Sequence, residues 1–144
     1  MDPSALVDIE QIKQLKAHYF YYVDTKQWEG WRNVFAPTGE LLAPELRDTA
    51  FVGIEEILGF FPSFLDGVKT IHHGHMPIID IIDTTHATGI WAMEDILFWP
   101  EGRPDGIPAG RMHGYGHYHE EYRKLPEGWR IQRLRLDRLH LGPL

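Results

Sequence analysis

The 144-residue chain contains no cysteine, which removes disulfides, thiolate nucleophiles and cysteine-held metal centres together. It also lacks a basic excess, since 14 lysines and arginines face 21 aspartates and glutamates for a net charge of -7. Binding a nucleic-acid backbone needs a concentrated basic surface. The one basic cluster, Arg130, Arg133, Arg135 and Arg138, has Asp137 inside it. No apolar run is long enough to span a bilayer. Met1-Asp2-Pro3-Ser4 has neither the basic start nor the apolar stretch of a signal peptide. The expectation is a cytoplasmic protein without nucleic-acid or membrane partners. With 43% hydrophobic and 24% charged residues, the chain reads as one globular domain over residues 1–144.

Periodicity divides the chain in two. Leu6, Ile9, Ile12, Leu15, Tyr19, Tyr22 and Val23 recur at three- and four-residue spacing, so a helix is expected through about Thr25, started by Asp2 or Ser4 and Pro3. Its last turns, His18 to Asp24, are aromatic nearly all round, and the phenols beside one carboxylate point to a ligand cavity as part of their cover. A Tyr-rich core is the alternative. A second helix is expected over Trp28 to Phe35, and a third from Gly53 to Phe61, broken by Pro62. Short strands are expected at Glu40 to Leu42 and Thr49 to Val52. From Thr70 onward the period becomes two, and four long strands are read at about 70–82, 86–99, 111–124 and 129–140. Three helices followed by an antiparallel meander argue an α+β fold with helices packed on one face of a curved sheet.

Chemistry concentrates around Thr70-Ile71-His72-His73-Gly74-His75-Met76. Histidine titrates nearest neutrality and is the first candidate for proton transfer. Alternation does not choose among the three imidazoles, and Pro77 marks a possible bulge. Asp95 lies on the apolar face of its strand with Trp91, Met93 and Leu97, which calls for a partner or a function. Arg133 or Arg135 is a candidate partner, although Leu134 and Leu136 leave the phase of the last strand open. Glu94 falls on the other face and is read as solvated. His113, His117 and His119 have a spacing that can place imidazoles side by side. Odd parity turns them away from the core, with no carboxylate expected beside them, and no metal site is expected.

Ile9-Glu10-Gln11-Ile12-Lys13, Tyr19 through Asp24, Trp28-x-x-Trp31, His72 through Pro77, Gly89 through Asp95 and His113 through Tyr118 together resemble a SnoaL-like protein of the nuclear transport factor two superfamily. The resemblance spans almost the whole chain. It implies a cone-shaped α+β barrel wrapped around the first helix and enclosing an apolar pocket, in enzymes that generally need neither metal nor organic cofactor. Relatives include scytalone dehydratase, ketosteroid isomerase, bile-acid dehydratase, a dehydrochlorinase and polyketide cyclases. In the dehydratase-like branch a helix-borne Tyr and Asp act with a strand histidine, which places the catalytic set on Tyr19, Asp24 and His72. Asp95 matches a polar pocket position on the next strand and Arg135 one near the end of the chain. Ile78 departs from the Glu of many relatives.

The expected activity is therefore cofactor-independent general acid–base catalysis by His72 and Asp24, as a lyase of dehydratase type or an isomerase, on an apolar cyclic substrate such as a steroid, terpenoid, polyketide or aromatic catabolite. Tyr22, Trp91, Met93, Tyr118, Asp95 and Arg135 are the expected substrate-binding residues. The alternatives are a polyketide-cyclase-type enzyme, or a non-catalytic binding or structural subunit of the same fold. Family habit implies a homodimer or homotrimer.

Overall fold

The computed structural model describes residues 2–143; Met1 and Leu144, the ends of the expected domain, lie outside the described residues. Helix α1 runs Pro3–Asp24. The Asp2 carboxylate accepts the Ser4 amide at 3.0 Å, and Pro3 occupies the first turn, where no amide proton is needed. Helix α2 covers only Trp28–Arg32, and strand β1 begins at Phe35 and continues to Leu42. The expected extension of α2 to Phe35 is thus corrected. Val34 and Phe35 are drawn into the sheet, where the Ile131 amide donates to the Val34 carbonyl at 2.8 Å and Phe35 pairs with Ile131. Tertiary pairing overrides a short helical pattern.

Strand β2 is Phe51–Val52 and helix α3 is Ile54–Phe64. Pro62 does not end α3. An aromatic cluster of Phe51, Phe60, Phe61 and Phe64, with neighbouring centroids 4.8–5.2 Å apart, holds the last turn against the loss of one hydrogen bond.

Four long strands follow: β3 Lys69–Ile81, β4 His86–Trp99, β5 Gly110–Leu125 and β6 Gly128–Pro143. They form one six-stranded sheet in the order β2-β1-β6-β5-β4-β3, antiparallel throughout except for the β1–β6 pair. The sheet is curved and not closed on itself, with helix α1 against β3 and β6. The inward stripe of α1 is Ile12, Leu15, Lys16, Tyr19 and Val23.

Bulges decide which side chains face that core. In β3 the register shifts between Gly74 and Pro77, at the place where proline led us to expect a bulge. In β6 it shifts twice. Gln132 is the extra residue between the pairs Tyr122–Ile131 and Glu121–Arg133, and Leu139 between Gly116–Arg138 and Tyr115–His140. Each extra residue flips the following side chains to the other face. Trp129 and Ile131 are therefore buried on one parity and Leu134 and Leu136 on the other. The open phase of the last strand is resolved by these bulges.

Candidate active site

A cavity of about 230 Å³ lies between the helices and the inner face of the sheet. Its wall is mostly aliphatic and aromatic, with His72, Asp95, Glu45, Arg103 and Arg138 as polar members. His72 is the inward member of the histidine triplet. Its side chain is 11% exposed, against 56% for both His73 and His75. The inward face of β3 is set by Thr70, which is buried.

Asp24, the last residue of α1, holds that histidine. Its Oδ1 lies 2.6 Å from His72 Nδ1 and accepts the Thr70 hydroxyl at 2.9 Å, while Oδ2 accepts the His72 amide at 2.9 Å. A carboxylate against Nδ1 places the proton there and leaves the Nε2 lone pair free. Nε2 is the nitrogen nearer Asp95, 3.8 Å from its Oδ2. Phe20 stacks on the imidazole with ring centroids 6.1 Å apart. Gly74 makes room for this ring, since a Cβ there would sit 2.6 Å from the Phe20 edge.

Asp95 is 1% exposed and is paired, as its position on the apolar face demanded. The partner is Arg138, which donates from Nη1 and Nη2 to the two carboxylate oxygens at 2.8 Å each, and from Nε to Glu45 at 3.0 Å. Burial opposes the arginine charge, but Asp95 and then Glu45 outweigh it and raise the Arg138 pKa above its ordinary value. A bidentate pair of this kind is geometrically demanding. Gly114 accommodates it, because any side chain there would run into the guanidinium and the Asp95 carboxylate.

Arg135 is the expectation that the structure overturns. It is 54% exposed and bonded to Asp137 at 2.7 Å on the outer face. The alternative face carrying Leu134 and Leu136 was the signal for Arg138, which shares their parity. Tyr22 is also outside the cavity. It stacks on His18 at 5.6 Å and covers Gly30, because a helix turns about 100° between Val23 and its predecessor. Trp91 and Met93 are buried and share the inner face with Asp95 but do not line the cavity. Parity sets the face and not the position along it, and Trp91 lies four residues, roughly 13 Å, from Asp95.

Tyr19 and Tyr118 do line the cavity, with ring centroids 6.0 Å apart. Burial first, and the Glu120 charge next, raise the Tyr19 phenol far above its usual pKa. Burial followed by Tyr19 does the same to Tyr118. Both phenols stay protonated. Behind them lies a buried ion pair missed from the sequence, Lys16 and Glu120, 2.5 Å apart with both side chains fully enclosed. The ammonium is 3.7 Å from the ring centroid of each tyrosine. Glu120 also accepts the Tyr122 hydroxyl, which accepts Trp91 Nε1. The parity of Glu120 with Gly116, Tyr118 and Tyr122, and the spacing of Lys16 from Ile12 and Tyr19, were the available signals.

On the outer face Glu94 is not free in solvent. It bonds His113 at 2.9 Å and lies 3.5 Å from His73. His119 lies 3.6 Å from Asp137.

A family model described as a SnoaL-like domain matches residues 4–135. A protein of Gibberella zeae named probable cyclase FGR4 is 24% identical over 138 residues, covering 90% of this chain and 89% of the relative. Among solved structures, a hexachlorocyclohexane dehydrochlorinase, LinA type 2, superposes with a TM-score of 0.84 at 18% identity over 100% of this chain and 93% of that one. A protein of Novosphingobium aromaticivorans that carries only the provisional name scytalone dehydratase gives 0.81 at 21% identity over 100% and 92%. At these identities the two structural likenesses are likenesses of fold.

Proposed function

The chain belongs to the SnoaL-like family, and from that premise we propose that it is a cofactor-independent enzyme that removes a proton from an apolar cyclic substrate, with elimination favoured over isomerisation. The observation that carries this reading is the Asp24–His72 pair, with Nδ1 engaged by the carboxylate at 2.6 Å and the ring in the cavity wall.

His72 Nε2 takes the proton from a carbon next to a carbonyl or an activated ring, and Asp24 stabilises the imidazolium. The carbon–hydrogen electron pair becomes the new double bond as the neighbouring carbon–oxygen bond breaks. The departing hydroxyl receives the proton back from the imidazolium and leaves as water. Tyr19, kept protonated by burial and then Glu120, donates a hydrogen bond to the developing oxyanion and does not surrender its proton. Asp95, neutralised by Arg138, faces the imidazolium from the other side. Isomerisation uses the same proton returned to a different carbon.

The cavity narrows the substrate class. A volume of about 230 Å³ lies below the roughly 300 Å³ at which pockets for drug-sized ligands begin. That favours one- and two-ring compounds over the steroids and larger terpenoids in the initial range. A second reading, cyclisation through an enolate formed by the same His72, is favoured by the likeness to a probable cyclase over 90% of the chain.

Turnover of cyclic hydroxy-ketones, followed by mass spectrometry in wild type and His72→Ala, tests the proposal. Loss of water confined to the wild type supports it, and equal turnover in both overturns it. We further propose self-association as a dimer or trimer through the outer sheet face, where Ile71, Met76, Ile78 and Leu139 are exposed. A monomer by sedimentation velocity overturns that.

A further inference from the structure

Arg103 is the inward residue of the loop between β4 and β5. Of residues 101–110 only Gly102 and Arg103 are not exposed, and Arg103 forms part of the cavity wall. The chain turns tightly to present it. Gly102 and Gly106 have φ values of 83° and 90°, which glycine adopts without strain, and the Arg103 amide donates to the Ile107 carbonyl at 2.8 Å. The side chain is held as well, with the guanidinium carbon 5.1 Å from the Phe64 ring centroid and 5.6 Å from that of Trp99.

Two of the three guanidinium nitrogens have partners. Nη2 donates to the Phe64 carbonyl, at the end of α3, at 3.0 Å. Nε lies 3.3 Å from both oxygens of Asp105, which is long for a charge-assisted pair. The Asp105 side chain is 53% exposed, so water screens the contact. Nη1 has no acceptor among the described residues. Unlike the Lys26 ammonium and the Trp31 indole nitrogen, it is not sealed inside the protein.

The other polar groups of the wall do not compete for this role. Arg138 is held by two carboxylates, Asp95 and Glu45, and Tyr19 and Tyr118 bring hydroxyls without a charge. Among the described residues Arg103 is therefore the wall cation that no wall carboxylate neutralises. A charged donor beside an apolar space gains more from an anion than from a neutral oxygen. Its place along the cavity is also defined. Asp95, Leu97 and Trp99 line the cavity in succession along β4, and Asp95 pairs with His72. Trp99, against which Arg103 packs, lies four residues, roughly 13 Å, further along the strand.

We infer that Arg103 binds a carboxylate substituent of the substrate through Nη1, at the end of the cavity remote from His72, and so determines specificity. This rests on the proposed use of the cavity as the substrate site. It narrows the substrate to an apolar one- or two-ring skeleton that bears a carboxylate away from its reacting carbon. Asp105, on the solvent side, competes for the same guanidinium charge.

Two probes of one skeleton separate this inference from the cavity reading: 2-naphthoate, which is an anion, and 2-naphthamide, which is neutral and of nearly the same shape. Wild-type protein binds both by calorimetry, naphthoate the more tightly. In Arg103→Gln the naphthoate affinity falls roughly tenfold, the order of a lost hydrogen bond to a charged group, and the naphthamide affinity is unchanged. Asp105→Asn, which leaves the cavity wall intact, tightens naphthoate binding and not naphthamide binding, a result that a merely structural Arg103 would not give. If wild type binds the two probes alike, if its preference survives in Arg103→Gln, or if Asp105→Asn binds naphthoate no better than wild type, the inference fails and the cavity reading stands. If neither probe binds, both are overturned.

Discussion

Asp24 engages His72 twice, Oδ1 at the Nδ1 atom of the ring at 2.6 Å and Oδ2 at the backbone amide at 2.9 Å. One carboxylate at the end of α1 thereby sets both the main-chain position and the ring tautomer of a residue 48 positions away. Thr70 adds a third hydrogen bond to the same group. The arrangement docks the helix end onto β3 and leaves one imidazole nitrogen for chemistry.

Replacing His72 by alanine is expected to lower turnover about 10²–10⁴-fold with the far-ultraviolet circular dichroism unchanged. Asp24→Asn is expected to lose a comparable amount by weakening the tautomer control. His73→Ala and His75→Ala retain activity, because both side chains are more than half exposed. An equal loss in either would move the base away from His72.

Arg138→Met leaves the Asp95 carboxylate buried without its counter-charge, and a loss of about 3–5 kcal/mol in urea unfolding is expected. Arg135→Ala, on the outer face with only Asp137 as partner among the described residues, stays within about 0.5 kcal/mol of wild type. Reversed magnitudes would mean that the inner and outer arginines have been exchanged.

Gly114→Ala forces a methyl group against Arg138 and Asp95, and a destabilisation of about 1–3 kcal/mol is expected. Pairing it with Asp95→Ala, which opens space, recovers part of the loss. Strictly additive effects of the two changes would show that the crowding is not between these groups.

The buried Lys16–Glu120 pair leads to a pH dependence of stability. Burial, partly offset by Glu120, lowers the Lys16 pKa from 10.5 to about 8, so between pH 8 and 10.5 the unfolded chain holds a proton that the folded chain has released. Stability from this group rises with pH through that window, by on the order of 3 kcal/mol at most. Tyr19, Tyr118 and Tyr122 act oppositely, since burial raises all three and their contribution is lost as pH climbs above 10. Urea midpoints are expected to rise from pH 8 and turn down above about 10. A midpoint that is flat or falling between pH 8 and 9.5 would contradict the placement of Lys16.

Local patterns were enough for much of this. Apolar residues at helical spacing marked α1, alternation marked the four long strands, and an aspartate on the apolar face of β4 announced a partner before any partner was known. Alternation is a local property, so it reports face within one unbroken strand. The bulge at Gly74–Pro77 and the extra residues Gln132 and Leu139 break that continuity. For this reason the choice of His72 rested on family resemblance, and Arg135 stood where Arg138 belongs.

The sequence by itself determined the α+β class and the family, because these depend on spacing and on motif order. Tertiary structure decided which arginine neutralises Asp95, that Tyr22, Trp91 and Met93 lie outside the cavity, and that Lys16 and Glu120 meet beneath Tyr19 and Tyr118. Those outcomes depend on register and on depth along a face, which are set when distant strands pair around α1.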